Sequence, residues 1–288
     1  MTLPLSIIRT KRAAAICAFA LILWSSVAAQ RVAMLAPDKS EASHAFAVKL
    51  KEKIDQKLAV VDDSIGEAAF EAARIEKPFN MTTEVSKAVG TSVGCDFFIL
   101  VRSETLRRSS SKQNEYYEAY AAIYAVSSRT GKLVLWRLPR YEAAKPQEAE
   151  RLLNADVGSV ALEIVEKLKS TMKGEMAEPH IAQMEEPPDE NSPAAKNFRA
   201  PIPYRRLKPD YTIDAFLYGV EATVEIMVDV DATGRILRTE IVHWAGYGLD
   251  ESVDRTVRAM NWRPAERNGK PLPMRFLLRY NFRKLEKE

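Results

Sequence analysis

An apolar residue stands at every second position over residues 220–230. Val220, Ala222, Val224, Ile226, Val228 and Val230 fall on one side, and Glu221, Thr223, Glu225, Met227, Asp229 and Asp231 on the other. A period of two predicts a strand with one buried face. Thr233-Gly234-Arg235 predicts a turn, and residues 236–244 return as the second strand of a hairpin. The spacing then becomes helical over residues 249–260, with Leu249, Val253, Val257 and Met260 on one face. Asp250 and Glu251 stand at the positive end of that helix, and Arg255 and Arg258 towards its negative end. The last strand alternates again to about Arg283. It predicts Leu272, Met274, Phe276, Leu278, Tyr280 and Phe282 facing the core, and Arg275, Leu277, Arg279 and Asn281 facing outward.

The upstream half mixes both periods. Val32-Ala33-Met34-Leu35-Ala36 predicts a buried strand. Asp38 and Glu41 form the expected capping pair of a helix that places Phe46, Ala47, Leu50 and Ile54 on one face. A short strand at Ala59-Val60-Val61 and helical stretches around 67–75 and 81–89 follow. The unbroken apolar run from Cys95 to Val101 predicts a strand covered on both faces. Residues 116–126 and 133–138 predict a hairpin, with residues 107–114 as a polar loop tip. A closing helix begins at Pro146 and lines up Leu153, Val157, Ala161, Ile164 and Leu168.

Between the halves, residues 173–197 carry Pro179, Pro187, Pro188 and Pro193, the acids Glu185, Glu186, Asp189 and Glu190, and no apolar period. Such a segment buries too little to fold and predicts an extended spacer. The fold class expected is therefore α+β: two small mixed α/β domains, residues 31–172 and 198–288, joined by a Pro/Glu-rich linker. The C-terminal domain is expected to be an antiparallel sheet with a packed helix, able to fold alone.

Charge excludes one class of partner. A net charge of +3, with both signs interleaved, argues against nucleic acid. The first 29 residues point to export. Arg9, Lys11 and Arg12 precede an uncharged apolar run from Ala13 to Ala29 that ends in Val27-Ala28-Ala29. This is the pattern of a cleaved signal peptide, with an uncleaved anchor as the alternative. Cleavage would leave Cys95 as the one thiol, expected as a small buried hydrophobe.

Motifs that imitate chemistry fail on context. Gly90-Thr91-Ser92-Val93-Gly94 has the spacing of a nucleophile elbow, but that device needs a strand before the serine and a helix after it. Here the order is reversed. Asp229, Asp231, Gly234 and Glu240 match calcium-loop positions, yet the flanks alternate as strands where such a loop needs helices. His44, His180 and His243 have no metal-ligand spacing. The expectation is no catalytic constellation, no cofactor and no metal.

The ordered set of C-terminal signals resembles the TonB C-terminal domain: the alternating strand, the Ala232-Thr233-Gly234 turn, the second strand, Gly248-Leu249-Asp250 opening the helix, Trp262-Arg263-Pro264-Ala265, Asn268-Gly269-Lys270-Pro271 and the final strand. The first domain resembles the small α/β domain of the CsgG group and of TolB. The match lies in Gly94-Cys95-Asp96-Phe97-Phe98-Ile99 and in the hairpin from Val126 to Val134. These resemblances imply a non-enzymatic periplasmic module, linked to outer-membrane or protein transport, that binds a partner peptide by strand addition. The implied partner is an outer-membrane transporter or another envelope protein. A peptidoglycan-associated scaffold is the alternative, and a periplasmic hydrolase using Ser92 a remote one. Arg275, Leu277, Arg279 and Asn281 are the expected partner-binding residues, their arginines either blunting an edge or recruiting an acidic peptide. The surface around Trp244 and Tyr247 is the second candidate. Trp244-Ala245-Gly246 replaces the family's Ser-Ser-Gly, and the apolar leader holds no histidine, so the resemblance implies an adaptor rather than an energy transducer.

Edman sequencing of the protein from an envelope fraction should begin near Gln30; an intact Met1 in the inner membrane would establish the anchored alternative.

Overall fold

The structure, a computed structural model, describes residues 31–111, 114–177 and 184–284. Residues 1–29, expected as an export signal, and His180 lie outside the described residues. In chain order the first half contains β1 (Arg31–Leu35), α1 (Glu41–Asp55), β2 (Ala59–Val60), α2 (Asp63–Ala72), α3 (Thr83–Val93), β3 (Phe97–Arg108), β4 (Tyr116–Ser127), β5 (Leu133–Arg137), β6 (Arg140–Ala143), α4 (Pro146–Ala155) and α5 (Val157–Ala177). The second half contains β7 (Phe198–Arg199), β8 (Ile202–Pro203), α6 (Ile213–Leu217), β9 (Ala222–Val230), β10 (Ile236–His243), α7 (Leu249–Arg258), β11 (Trp262–Arg263), β12 (Ala265–Arg267), β13 (Lys270–Leu272) and β14 (Met274–Phe282). The chain is α+β. No helix among the described residues is long and apolar enough to cross a membrane.

The first half is a six-stranded sheet in the order β2-β1-β3-β4-β5, with β6 also on β4. β1 runs parallel to β2 and β3, and the remaining pairs are antiparallel. Side chains of this sheet divide by parity between two cores. Val32, Met34, Phe97, Ile99, Val101, Ala119, Ala121, Ile123 and Ala125 join α1, α4 and α5 in one cluster. Ala33, Leu35, Phe98, Leu100, Tyr120, Ala122, Tyr124 and Val126 join α2 and α3 in the other, and that second cluster contains the C-terminal core as well. The sheet is thus a middle layer, with helices on one face and the C-terminal half on the other.

Several local expectations shift by a few residues for identifiable reasons. Ser40, not the Asp38–Glu41 pair, caps α1 by accepting from the Ser43 N–H; Asp38 instead accepts from the Ser40 N–H and the Ser43 hydroxyl. The closing helix is two helices interrupted at Asp156, though Leu153, Val157, Ala161, Ile164 and Leu168 are all buried as expected. β3 extends to Arg108, so the first two residues of the anticipated polar tip are strand, and Arg107 pairs with Glu115. Cys95 is buried, and burial raises its thiol pKa despite a contact with the Ser128 hydroxyl. Gly94 ends α3 in a left-handed conformation and leaves Ser92 on the exposed side of a helix end.

The two halves meet around one loop, residues 244–247. Trp244 is 1% exposed. Its indole N–H donates to the Ser86 hydroxyl and the Gly131 carbonyl, and its backbone N–H to the Met81 carbonyl. The Asn80 side chain clamps the same place: Nδ2 donates to the carbonyls of Thr223 and Trp244, while Oδ1 accepts from the Thr223 N–H. Tyr124 donates to the Ala245 carbonyl, and Tyr247 packs on Trp136 with ring centroids 5.0 Å apart. At Gly246, with φ +71°, a Cβ would come within 2.6 Å of Trp136 and 2.8 Å of Tyr124, so the loop admits no side chain there. Asp250 receives the N–H groups of Ala245 and Gly246; burial nevertheless pushes its carboxyl up to about 7.

Trp244 and Tyr247 are therefore buried rather than a surface, because Ser86 of α3, Tyr124 of β4 and Trp136 of β5 already cover them. Replacing Trp244 with Ala should cost about 3–5 kcal/mol in chemical denaturation. A loss below about 1 kcal/mol would show that this loop does not join the halves. Residues 198–288 expressed alone should show red-shifted tryptophan emission relative to the full chain, because Trp244 loses its cover.

Candidate functional site

The C-terminal sheet has the order β10-β9-β14, which leaves β14 at an edge. Its register against β9 is unbroken from Met274 opposite Val230 to Phe282 opposite Ala222. Met274, Phe276 and Phe282 are buried, and Leu278 and Tyr280 pack against the same cluster, as the alternation predicts. Leu272 falls outside this strand, in β13. The β9–β10 turn is held by Asp231, whose carboxylate accepts from the N–H groups of Thr233 and Arg235. Gly234 sits at φ +88°, with its Cα hydrogen against the Trp262 carbonyl where a Cβ would lie 2.1 Å away. The acids of the calcium-like pattern do not converge. Asp229 turns to arginines, Asp231 to its own turn and Glu240 to Lys132.

The backbone of β14 is the notable feature of the edge. The Arg275 N–H donates to the Glu185 carbonyl at 2.9 Å, away from β9. In an antiparallel ladder successive residues point their N–H and C=O groups to opposite sides. Leu277, Arg279 and Asn281 consequently aim theirs at the open side, as Arg275 does. Beside them lies a groove of about 640 Å3, lined by Leu277, Leu278, Arg279, Tyr280 and Asn281 and by Arg206, Leu207, Lys208 and Pro209. Leu277 is 46% exposed. Arg206 and Lys208 are exposed and form no ion pair among the described residues.

The four residues expected to bind a partner thus share one strand edge, but their side chains are not equally free. Arg275 is clamped to Asp229 by two hydrogen bonds, 2.6 and 2.8 Å, and its side chain is only 12% exposed. Arg279 pairs with Glu225, which also faces His243 at 3.5 Å, and Asn281 accepts from Thr223. Asp229 is flanked by cations from both neighbouring strands, since Arg238 of β10 also reaches it. Arg275 lies off the core face, as the alternation predicts, but cross-strand register sets it opposite Asp229, which takes up its charge. Arg206 and Lys208 carry the free positive charge of the groove. They were not anticipated, because nothing local to 206–209 shows which strand it will lie beside.

Residues 208–283 match the family model for the Gram-negative bacterial TonB protein C-terminal domain, so this segment is a TonB-type C-terminal domain. No protein of curated function matches the chain. Among solved structures, the TonB C-terminal domain of Pseudomonas aeruginosa is 21% identical and covers 34% of this chain and 93% of its own, at a TM-score of 0.26. A hypothetical protein of Chlamydia trachomatis is 11% identical, covering 52% of this chain and 99% of its own at a TM-score of 0.31. A lipoprotein of Neisseria meningitidis is 14% identical, covering 48% and 99% at a TM-score of 0.33.

Burial alone would raise the pKa of Asp229, but Arg275 and Arg238 outweigh it and hold the carboxyl below its ordinary 3.8. A carboxyl with a lower pKa in the folded state binds fewer protons there than in the unfolded chain. Its contribution is full above about pH 3.8 and is lost as the pH falls through the lower folded value. Asp229→Ala should destabilise the protein at pH 7 by about 3 kcal/mol, by stranding Arg275. Urea titrations should show that penalty shrinking as the pH falls below 3.8 towards the lowered folded value, with Asp229→Leu combined with Arg275→Leu regaining most of the pH 7 loss. A penalty that does not change with acidification would contradict the ion-pair assignment.

Proposed function

We propose that this chain is a non-catalytic interaction module of the Gram-negative cell envelope. It holds an extended peptide of an outer-membrane transporter or another envelope protein as an added strand on β14. The observation that carries this reading is the open edge at Leu277, Arg279 and Asn281, set beside a basic groove. An edge strand is costly to leave bare, because each unpaired N–H and C=O invites another chain. Here the edge is neither shortened nor bulged along its length, and its register runs clean to Phe282.

The division of labour follows from the geometry. Backbone groups of Leu277, Arg279 and Asn281 supply sequence-tolerant hydrogen bonds, each worth about 0.5–1.5 kcal/mol net. Leu277 offers an apolar contact for one side chain of the incoming strand. Arg206, Lys208 and the exposed guanidinium of Arg279 favour an acidic peptide, acting mainly on encounter rate and selection. The TonB-type identity of residues 208–283 supports the class of partner. The export pattern over residues 1–29 supports a periplasmic location.

Phage-displayed peptides selected on the folded chain should be extended and acidic. Leu277→Pro, which removes an edge N–H and cannot join a ladder, should abolish their binding while Leu277→Thr keeps it within about threefold. Arg206→Glu with Lys208→Glu should weaken binding and flatten its salt dependence. Each variant is paired with a thermal melt. A folded Leu277→Pro protein that binds like the wild type would refute strand addition.

A further inference from the structure

The first rung of the β14 edge is already occupied from within the chain. Residue Glu185, from the acidic segment between the halves, accepts the Arg275 N–H at 2.9 Å through its backbone carbonyl, while its carboxylate takes the Arg267 guanidinium. Backbone carbonyl to edge N–H, with an acidic side chain against a basic one, is what strand addition by an acidic peptide would look like. Two residues on, Pro187 and Pro188 follow Glu186. A proline has no N–H to give a ladder, so neither residue can extend the pairing. Among the described residues no backbone carbonyl takes the outward N–H groups of Leu277, Arg279 and Asn281. The segment does not behave as a free tether further on either: β7 pairs with β12, and the Asn268 N–H donates to the Asn197 carbonyl.

We propose that residues 184–190 are a built-in, proline-limited occupant of the partner edge. This acidic plug holds the Arg275 end of β14 and must be displaced by any partner strand that uses the whole edge. The inference rests on the strand-addition reading and adds to it a mode of regulation and a template for the partner. A displacing peptide should carry an acidic residue that takes over the place of Glu185 against Arg267, followed by residues with free N–H groups where this chain has Pro187 and Pro188. The Arg267 guanidinium beside Glu185 also holds that carboxyl below the usual range, the direction expected of a seated acid. The plug gives up little on leaving. Glu185 and Glu186 are exposed, and one ladder bond with one solvent-facing ion pair holds them.

The test compares the full chain with a variant in which residues 184–190 are replaced by Gly-Ser repeats of the same length. Two readouts are taken: hydrogen exchange at the Arg275 amide, and titration of a labelled peptide with the 184–190 sequence but threonine in place of both prolines. Freeing the edge should speed Arg275 exchange by about tenfold or more. It should also tighten peptide binding by a similar factor, because an occupied edge taxes the apparent affinity. Equal Arg275 exchange in the two proteins would overturn the proposal, and so would equal peptide affinity. Faster Arg275 exchange in a variant that binds the peptide no better would likewise overturn the proposal, and absence of peptide binding in both proteins would count against strand addition as well.

Discussion

The constraint on which the rest of this structure depends is the need to cover the second face of the six-stranded sheet. β3 and β4 are apolar on both sides, and helices α1, α4 and α5 can cover only one. The other face presents Tyr120, Ala122, Tyr124 and Val126, too much apolar surface to leave in water. Helices α2 and α3 cover part of it. The loop at Trp244 covers the rest, and Asn80 locks it by satisfying backbone groups of Thr223 and Trp244 at once. Polar contacts around the rim follow the same seam: Arg140 to Asp214, Lys132 to Glu240, and Glu118 shared by Arg108 and Tyr218. Their individual worth is small. Together they fix register across a joint whose energy comes from burial.

That joint determines which edge of the C-terminal sheet is open. The inner face of β9 and β14 is committed to the shared core. β10 lies on the side of β5, where Lys132 reaches Glu240. β14 lies on the far side of β9 from β10, and among the described residues its outer side meets the 206–209 segment and Glu185. The outer face of the sheet is closed to a partner in a different way. Its acids are nearly buried and already engaged, Asp229 with Arg275 and Arg238, and Glu225 with Arg279 and His243. What this leaves exposed is the outward backbone of β14 and the cations beside it.

Much of this was legible in the sequence, because periodicity reports on which face of an element is buried. The alternation over 220–231 and along the final strand gave the hairpin, the edge and the inward residues Met274, Phe276 and Phe282. The unbroken run at Cys95–Val101 correctly announced a strand covered twice. The same kind of run in β4, Ala119 to Val126, carried the signal for the shared core and was passed over as one arm of a hairpin. What periodicity cannot report is partnership at long range. Asp229 meets Arg275 only through strand register, Asn80 meets Thr223 across 143 positions, and Glu185 reaches Arg267 across 82. Trp244 reads locally as the end of an exposed strand; its burial depends on a surface made by residues far upstream.

The most direct measurement is amide-resolved hydrogen exchange along β14 in the full chain, without a partner. An open edge with intact pairing to β9 predicts alternation: slow exchange at Phe276, Leu278 and Tyr280, and fast exchange at Leu277, Arg279 and Asn281. Uniform slow exchange along the strand would mean that its outer side is already paired and would contradict the account.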